Sequence, residues 1–291
     1  MKVLVTGASG FIGLHVCEAL EEAGHEVIGL DVSPKASSRY ALLIEDITRP
    51  LPTISNLDAV IHLAAMANPR ECDANPAAAF NANVNGTLQV LRMALASGAK
   101  KVVFSSSAHV YGVGPKFLPT PESHPLALGN TYTTTKILGE ALCELYWENH
   151  GLSYTTLRLF NAYGQNQARG YFIPDMVAKA KLGGINLTDG DTSKDWVYVE
   201  DVARAFVLAL ESPYVGAVNI GTGKETTLSV IAGFLADAAG ATFSYTSGTP
   251  NESRMCADIG RANRVLGWKP KYSLGDGLAA IVDQTKILAL R

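Results

Sequence analysis

Charge is scarce in this chain and nowhere concentrated. Of 291 residues 18% are charged, and 24 Lys and Arg nearly balance 27 Asp and Glu, for a formal net charge of −3. Without a Lys/Arg cluster, neither nucleic acid nor an anionic membrane surface is an expected partner. The four cysteines, Cys17, Cys72, Cys143 and Cys256, stand far apart with no Cys-x-x-Cys pair. That spacing excludes the usual zinc site and a disulfide framework, and reduced thiols in a cytoplasmic protein are expected. The six histidines show no His-Glu-x-x-His spacing, so no metal is expected. No apolar run approaches the roughly eighteen residues of a membrane span, and Met1 leads into an apolar strand without a signal-peptide pattern. What the chain does have is apolar content, 47%, enough for one large core and a smaller second lobe.

The first thirty-one residues carry the densest pattern. Lys2 to Thr6 is β-branched and apolar, and Gly7-Ala8-Ser9-Gly10-Phe11-Ile12-Gly13 follows directly. Gly7 permits a tight turn out of a strand, Gly10 lets backbone approach a pyrophosphate, and Gly13 lets the next helix lie close to the sheet. Phosphates would then meet free N–H groups at the positive end of that helix. A second strand, Glu26 to Leu30, ends in Asp31, eighteen residues after Gly13. That is near the spacing of a ribose-binding acid, which would accept both ribose hydroxyls of NAD and repel the extra phosphate of NADP.

Up to about residue 160, short β-branched runs (2–6, 26–31, 41–45, 58–63, 101–106, 154–160) alternate with helical periodicity (11–23, 76–97, 132–149), with Gly24, Gly98 and Gly151 at C-cap positions. This alternation predicts an α/β fold of the Rossmann type, a doubly wound parallel sheet whose ligands bind at the carboxyl ends of the strands. At those ends stand Glu45-Asp46-Ile47, suited to adenine although Asp46 also fits a solvated turn, and His62-Leu63-Ala64-Ala65, whose small side chains let backbone pass against a cofactor. His62 reads as a packed, hydrogen-bonded histidine. Asn83 and Gly86 are poor helix formers inside a helical pattern, which points to an amide needed for contacts to neighbouring loops or cofactor.

The fifth strand ends in Ser105-Ser106-Ser107, followed by Ala108-His109, and a later helix opens with Tyr132-Thr133-Thr134-Thr135-Lys136. Tyr132 and Lys136 are i and i+4 and share a helical face. Ionising a tyrosine at neutral pH means a shift of about three units, roughly 4 kcal/mol. An ammonium about 4 Å away supplies about that at an effective dielectric near 20, so Lys136 is expected to lower the Tyr132 pKa.

With these residues in place the chain resembles the extended short-chain dehydrogenase/reductases, and within them the nucleotide-sugar epimerase/dehydratase family. The resemblance runs nearly end to end, through Leu157-Arg158-Leu159-Phe160-Asn161-Ala162-Tyr163-Gly164, Trp196 to Val202, Asn219 to Gly223 and Leu266 to Pro270. It implies NAD as cofactor, a nucleoside diphosphate sugar as substrate, a homodimer through helices that include 76–97 and 132–149, and Ser107, Tyr132 and Lys136 as the catalytic group. On the cofactor side it implies Gly7, Gly10, Phe11, Ile12, Gly13, Asp31, Asp46, Ile47, Leu63, Ala64, Ala65, Asn83, Ser105 and Leu159, together with Tyr132 and Lys136. On the substrate side it implies Ser107, His109, Tyr132, Asn161, Tyr171, Lys194 and Arg254. The expected domains are 1–163 with a returning segment 195–222, and a smaller α/β substrate lobe of 164–194 and 223–291.

Departures from the family pattern cluster where the substrate's nucleotide would sit. Lys194 stands in place of an arginine, Gly248 at the position of a second arginine, and Tyr171 in place of an asparagine before Pro174. Arg254 is either a replacement phosphate ligand or half of a surface ion pair. Ala108-His109 replaces the Asp-Glu pair of the dehydratases, so a 4,6-dehydratase is not expected. The leading expectation is a UDP-glucose/galactose-type 4-epimerase working through a 4-keto intermediate. The alternatives are a 4-ketoreductase of a deoxy sugar nucleotide, kept open toward NADPH by Lys35 and Arg39, and a cofactor-sensing protein without chemistry.

Overall fold

A computed structural model of the chain describes residues 1–34, 40–112, 114–247 and 254–289, the last seven by backbone alone. Lys35, Arg39 and Gly248 lie outside the described residues.

The chain opens with β1 (Lys2–Thr6), α1 (Phe11–Glu22), β2 (Glu26–Asp31), β3 (Ala41–Ile44) and β4 (Ala59–His62). Gly7 turns the chain at φ +74°, and its N–H donates to Leu30 O at 2.8 Å. A Cβ on Gly13 would fall 2.0 Å from Gly7 O, so the helix lies on the turn as only glycine permits. The helix expected over 76–97 is present without a break as α3 (Pro76–Phe80), a π turn at Asn81–Asn85 and α4 (Gly86–Ala96), and a separate short helix, α2 (Pro69–Ala74), precedes it. The boundary between α2 and α3 is local: Asn68 and Asn75 cap with their side chains onto Arg70 N and Ala78 N, and each is followed by a proline at the first helical position.

Next come β5 (Lys101–Ser107), a 3₁₀ turn (Ala108–Tyr111), α5 (Thr131–His150), β6 (Ser153–Leu159), β7 (Asn161–Tyr163), α6 (Phe172–Lys181), β8 (Gly184–Thr188), β9 (Ser193–Tyr198), α7 (Val199–Glu211) and β10 (Gly216–Ile220). The chain closes with β11 (Glu225–Thr227), α8 (Leu228–Ala239), β12 (Thr242–Thr246), α9 (Gly260–Leu266) and α10 (Leu274–Ala289). A seven-stranded parallel sheet runs β10-β6-β5-β4-β1-β2-β3. Strand order reverses at β1, which pairs Val5 with Gly29 of β2 on one side and with Ile61 of β4 on the other. A reversal of this kind leaves a crevice at the carboxyl ends of the strands.

One face of the sheet is buried by Val16, Leu20, Val202, Phe206 and Leu210 of α1 and α7, the other by Val90, Leu91 and Cys143 of α4 and α5 with Phe104. A separate core of Tyr163, Ile173, Ile185, Tyr198, Ile231 and Leu235 organises the smaller lobe. The strand at about 195, expected to return to the first lobe with the helix after it, is β9, which lies in a three-stranded sheet ordered β11-β9-β7 while its Val197 packs into the core of the large sheet. Its helix α7 does pack back against α1. Two buried carboxylates tie this region together. Asp195 accepts from Thr222 N and Thr222 Oγ1 (both 2.6 Å), Gly223 N (2.9 Å) and Ala257 N (3.0 Å). Asp201 accepts from Lys271 N (2.9 Å), Tyr272 N (3.0 Å) and Arg204 Nη2 (2.7 Å), while its carbonyl takes the Trp268 indole N–H.

His62 is buried between Thr6 Oγ1 (2.7 Å from Nδ1) and Thr87 Oγ1 (3.0 Å from Nε2). Burial, with the Lys136 charge adding to it, holds its pKa down to about 3. The unfolded chain therefore takes up this proton first, so the contribution is complete above about pH 6.5 and is lost as pH falls toward 3. We expect urea unfolding of the parent to lose about 2 kcal/mol more between pH 7.5 and pH 5 than that of His62→Gln. Parallel pH profiles for the two proteins would show that His62 is not the titrating group.

Candidate active site

A cavity of about 740 Å³ opens where the ends of β1, β2, β4, β5 and β6 meet the smaller lobe. Gly7, Gly10, Phe11, Ile12 and Gly13 line one end with Asp31, and Asp46 and Ile47 stand beyond them. The Asp31 carboxylate is held by Ser9 N at 3.0 Å and Ser33 N at 2.9 Å, which fixes its direction and leaves further lone pairs for a ligand. Asp46 accepts from Thr48 N (2.9 Å), and its pKa is lowered by that bond. Leu63, Ala64, Ala65, Ser105 and Leu159 line the middle. A Cβ on Gly7 would meet Ala64 N at 2.8 Å, so the turn and the β4 end are pressed together.

Ser107, His109, Tyr132 and Lys136 line the other end. Lys136 Nζ donates to Ser105 O at 2.8 Å and stands 5.2 Å from the Phe104 ring centre and 5.8 Å from that of Tyr132. Here the structure corrects the expectation that Lys136 pulls the Tyr132 pKa down. Burial pushes the Tyr132 phenol up to about 12, and the counter-effect comes from the Ser107 hydroxyl. Burial draws the Lys136 ammonium down to about 8.

Asn83 does not line the cavity. Its Oδ1 accepts from Met66 N (2.7 Å), and its Nδ2 donates to Met66 O (3.0 Å) and to Thr135 Oγ1 (2.9 Å), which in turn donates to Tyr132 O (2.8 Å). The amide thus braces the first turn of α5 against the segment after β4. A second brace went unread in the sequence. Glu140, one turn beyond Lys136, accepts from Ser106 Oγ (2.5 Å), Arg158 Nε (3.0 Å) and Arg158 Nη2 (2.6 Å). The available signal was an arginine inside the apolar run Leu157–Leu159, which demands a buried partner.

Toward the smaller lobe, Asn161, Tyr171, Phe172 and Trp196 line the cavity, and Asn161 Nδ2 donates to Asp195 O at 3.1 Å. Met66, Pro69 and Gln167 also line it and were not anticipated. Lys194 and Arg254 do not stand in the cavity wall. Arg254 pairs with Glu225 (Nε to Oε1, 3.1 Å), whose Oε1 also accepts from Ser193 Oγ at 2.8 Å. The Lys194 pKa is lowered by burial and raised in part by Glu225.

A family model described as the NAD dependent epimerase/dehydratase family matches residues 3–221. The chain belongs to this family. A Methanocaldococcus jannaschii protein provisionally named a UDP-glucose 4-epimerase is 34% identical over 98% of each chain. UDP-glucuronic acid decarboxylase 3 of Arabidopsis thaliana is 30% identical over 99% of this chain and 90% of its own. Among solved structures, MoeE5 in complex with UDP-glucose and NAD is 28% identical with a TM-score of 0.90, covering 99% of this chain and all of that one.

The protein is an NAD-dependent enzyme, and its cavity fits that cofactor. The turn at Gly10 caps α1 with no side chain over its first N–H groups, where a pyrophosphate would be held. A Cβ on Gly10 would lie 3.1 Å from Gly7 O and intrude on the same space. Asp31 would hold the adenosine ribose and Lys136 the nicotinamide ribose.

The Lys136 charge carries a stability cost with a definite pH window. Its folded pKa, about 8, lies below its usual value, so the cost is present below pH 8 and is relieved as pH rises toward 10.5. Lys136→Met is therefore expected to raise the stability of the cofactor-free protein by about 1–3 kcal/mol at pH 7 and by much less at pH 10. Thermal melts at the two pH values test this, and a destabilised variant at pH 7 would show that the Ser105 bond outweighs burial of the charge.

Proposed function

We propose that this enzyme is a UDP-sugar 4-epimerase of the glucose/galactose type that keeps NAD bound through its cycle. The observation that carries the reading is a single cavity bounded at one end by the glycine turn and Asp31 and at the other by Ser107 and Tyr132, where Ala108 and His109 follow Ser107. No carboxylate follows the serine hydroxyl to expel a neighbouring hydroxyl group from the sugar. Bound NAD supplies a hydride acceptor and donor. Ser107 and Tyr132 hydrogen-bond the reacting sugar hydroxyl and exchange its proton, and Lys136 orients the cofactor ribose beside them. The 4-keto sugar then turns over within the cavity before reduction on its other face, a motion for which the apolar wall of Met66, Phe172 and Trp196 offers few hydrogen bonds to break. Asn161 holds the diphosphate, with Lys194 and Arg254 as outer cations once Glu225 releases them. The names of the relatives support a UDP-sugar. Asp31, fixed by two backbone N–H groups, argues against the NADPH-dependent ketoreductase.

The enzyme further works as a homodimer. Leu138 (38% exposed) and Leu145 (47%) lie seven residues apart on one stripe of α5, with Leu95 (39%) of α4 and Phe80 (40%) of α3 also exposed. All four cysteines are free and buried, which suits the reducing cytoplasm.

Incubation with UDP-glucose or UDP-galactose is expected to interconvert them by NMR, while UDP-glucuronic acid releases no carbon dioxide. Tyr132→Phe should lower turnover by about a hundredfold or more and leave NAD affinity within a few-fold. Decarboxylation of the glucuronate, or full activity in Tyr132→Phe, would overturn this assignment. In analytical ultracentrifugation the parent should sediment as a dimer and Leu138→Glu/Leu145→Glu as a monomer; a monomeric parent refutes the dimer.

A further inference from the structure

The loop that follows β7 carries a side chain in the cavity wall whose hydrogen-bonding capacity is half used. Its course is fixed from three sides. His15 Nε2 of α1 meets Gln165 O at 3.1 Å, Gln165 Nε2 donates to Ala280 O of α10 at 3.4 Å, and Asn166 turns the chain at φ +64°, in the left-handed region that asparagine tolerates. The turn sends Gln167 back onto the wall, where its Nε2 donates to Ala162 O at 3.2 Å. Its Oε1 is buried and takes no hydrogen bond from any of the described residues. Glu21 Oε2 and Thr156 Oγ1 share that state, but neither residue lines the cavity.

We propose that Gln167 is a specificity-determining residue, whose amide oxygen turns into the cavity to accept from a hydroxyl of the substrate's sugar.

A buried acceptor without a donor carries a desolvation cost that a bound donor removes. The amide is held by one long hydrogen bond and its terminal torsion is broad, so turning Oε1 inward breaks at most that bond and supplies the missing one. The partner must be a donor. Diphosphate oxygens and a sugar carboxylate are acceptors only, and either would set lone pairs against the lone pairs of Oε1. The strand register places the amide near the reacting sugar. Ser107 of β5 pairs with Leu159 of β6, and Ala162, to which Gln167 is tethered, lies three residues beyond Leu159. Asp31, where the adenosine end of the cofactor would lie, ends β2 on the far side of β4 and β1. The neighbouring wall offers the sugar little else to accept its protons. Met66 and Phe172 are apolar, and the Trp196 indole N–H is a donor already directed to Thr226 O at 3.4 Å. A sugar that lacks the matching hydroxyl would leave Oε1 without a donor, and the site would reject it on that ground.

This role rests on the UDP-sugar reading, and binding measurements keep the two apart. Calorimetry on the NAD-loaded protein would compare UDP, UDP-glucose and the 2-, 3-, 4- and 6-deoxy analogues of UDP-glucose in the parent and in Gln167→Met, which keeps the chain length without the amide. In the parent at least one analogue should bind about ten- to a hundredfold more weakly than UDP-glucose. In Gln167→Met the penalty on one such analogue should vanish, because no acceptor is left unpaired, while UDP and NAD bind as in the parent. Penalties that persist unchanged for all four analogues overturn the role of Gln167 and leave the epimerase reading intact. Weakening of UDP or NAD to the same extent as UDP-glucose also overturns it, since the amide then serves the nucleotide, the cofactor or the loop alone. If Gln167→Met does not fold, Gln167→Asn, whose amide is drawn back by one methylene, is compared in the same way and decides by the same outcomes. A parent that binds neither UDP nor any of the UDP-sugars overturns both readings together.

Discussion

A buried ammonium with no carboxylate within ion-pair distance among the described residues sets the terms for the catalytic end of this molecule. Lys136 reaches from α5 to Ser105 O on β5, and the surroundings are arranged for a charge that burial opposes. The Phe104 ring lies under the ammonium, and His62 stays neutral between two threonine hydroxyls instead of adding a second cation. Because one bond to a backbone carbonyl cannot by itself hold a charged side chain in a low-dielectric interior, the helix that carries it must be fixed by other contacts. Glu140, with Ser106 and Arg158, fixes it one turn further along, and Asn83, through Thr135, fixes its first turn. The first turn of α5, and with it Tyr132, is thereby braced from two sides, while burial makes the Tyr132 phenol a weak acid.

The smaller lobe is joined to this frame by carboxylates that act as crosslinks. Asp195 gathers Thr222, Gly223 and Ala257 around its two oxygens, and its carbonyl accepts from Asn161 Nδ2 of the cavity wall. Asp201 gathers the segment after Trp268. These contacts bring β9 and α7, adjacent in sequence, to opposite sides of the lobe boundary. The cavity wall therefore combines strand ends of the large sheet with Trp196 and Tyr171 of the small one. Glu225 completes the set by neutralising Arg254 outside the wall.

Much of this was legible in the sequence wherever a residue's role depends on its own backbone. The glycine turn, the alternation of strands and helices, Asp31 at a strand end and the sharing of one helical face by Tyr132 and Lys136 follow from φ freedom, side-chain period and spacing, which neighbours a few residues away decide. His62 was legible as a packed histidine for the same kind of reason. Only the tertiary structure decided which partners the polar side chains found: Asn83 with Met66 and Thr135 rather than with the cavity, Arg254 with Glu225, Arg158 with Glu140, and β9 with β7 and β11 rather than with the large sheet. It also decided the sign of the Tyr132 shift. Spacing places an ammonium on the same face as a phenol, but whether its field or the loss of water governs the phenol depends on burial and on what else the ammonium touches, and both are set by residues far away in the chain.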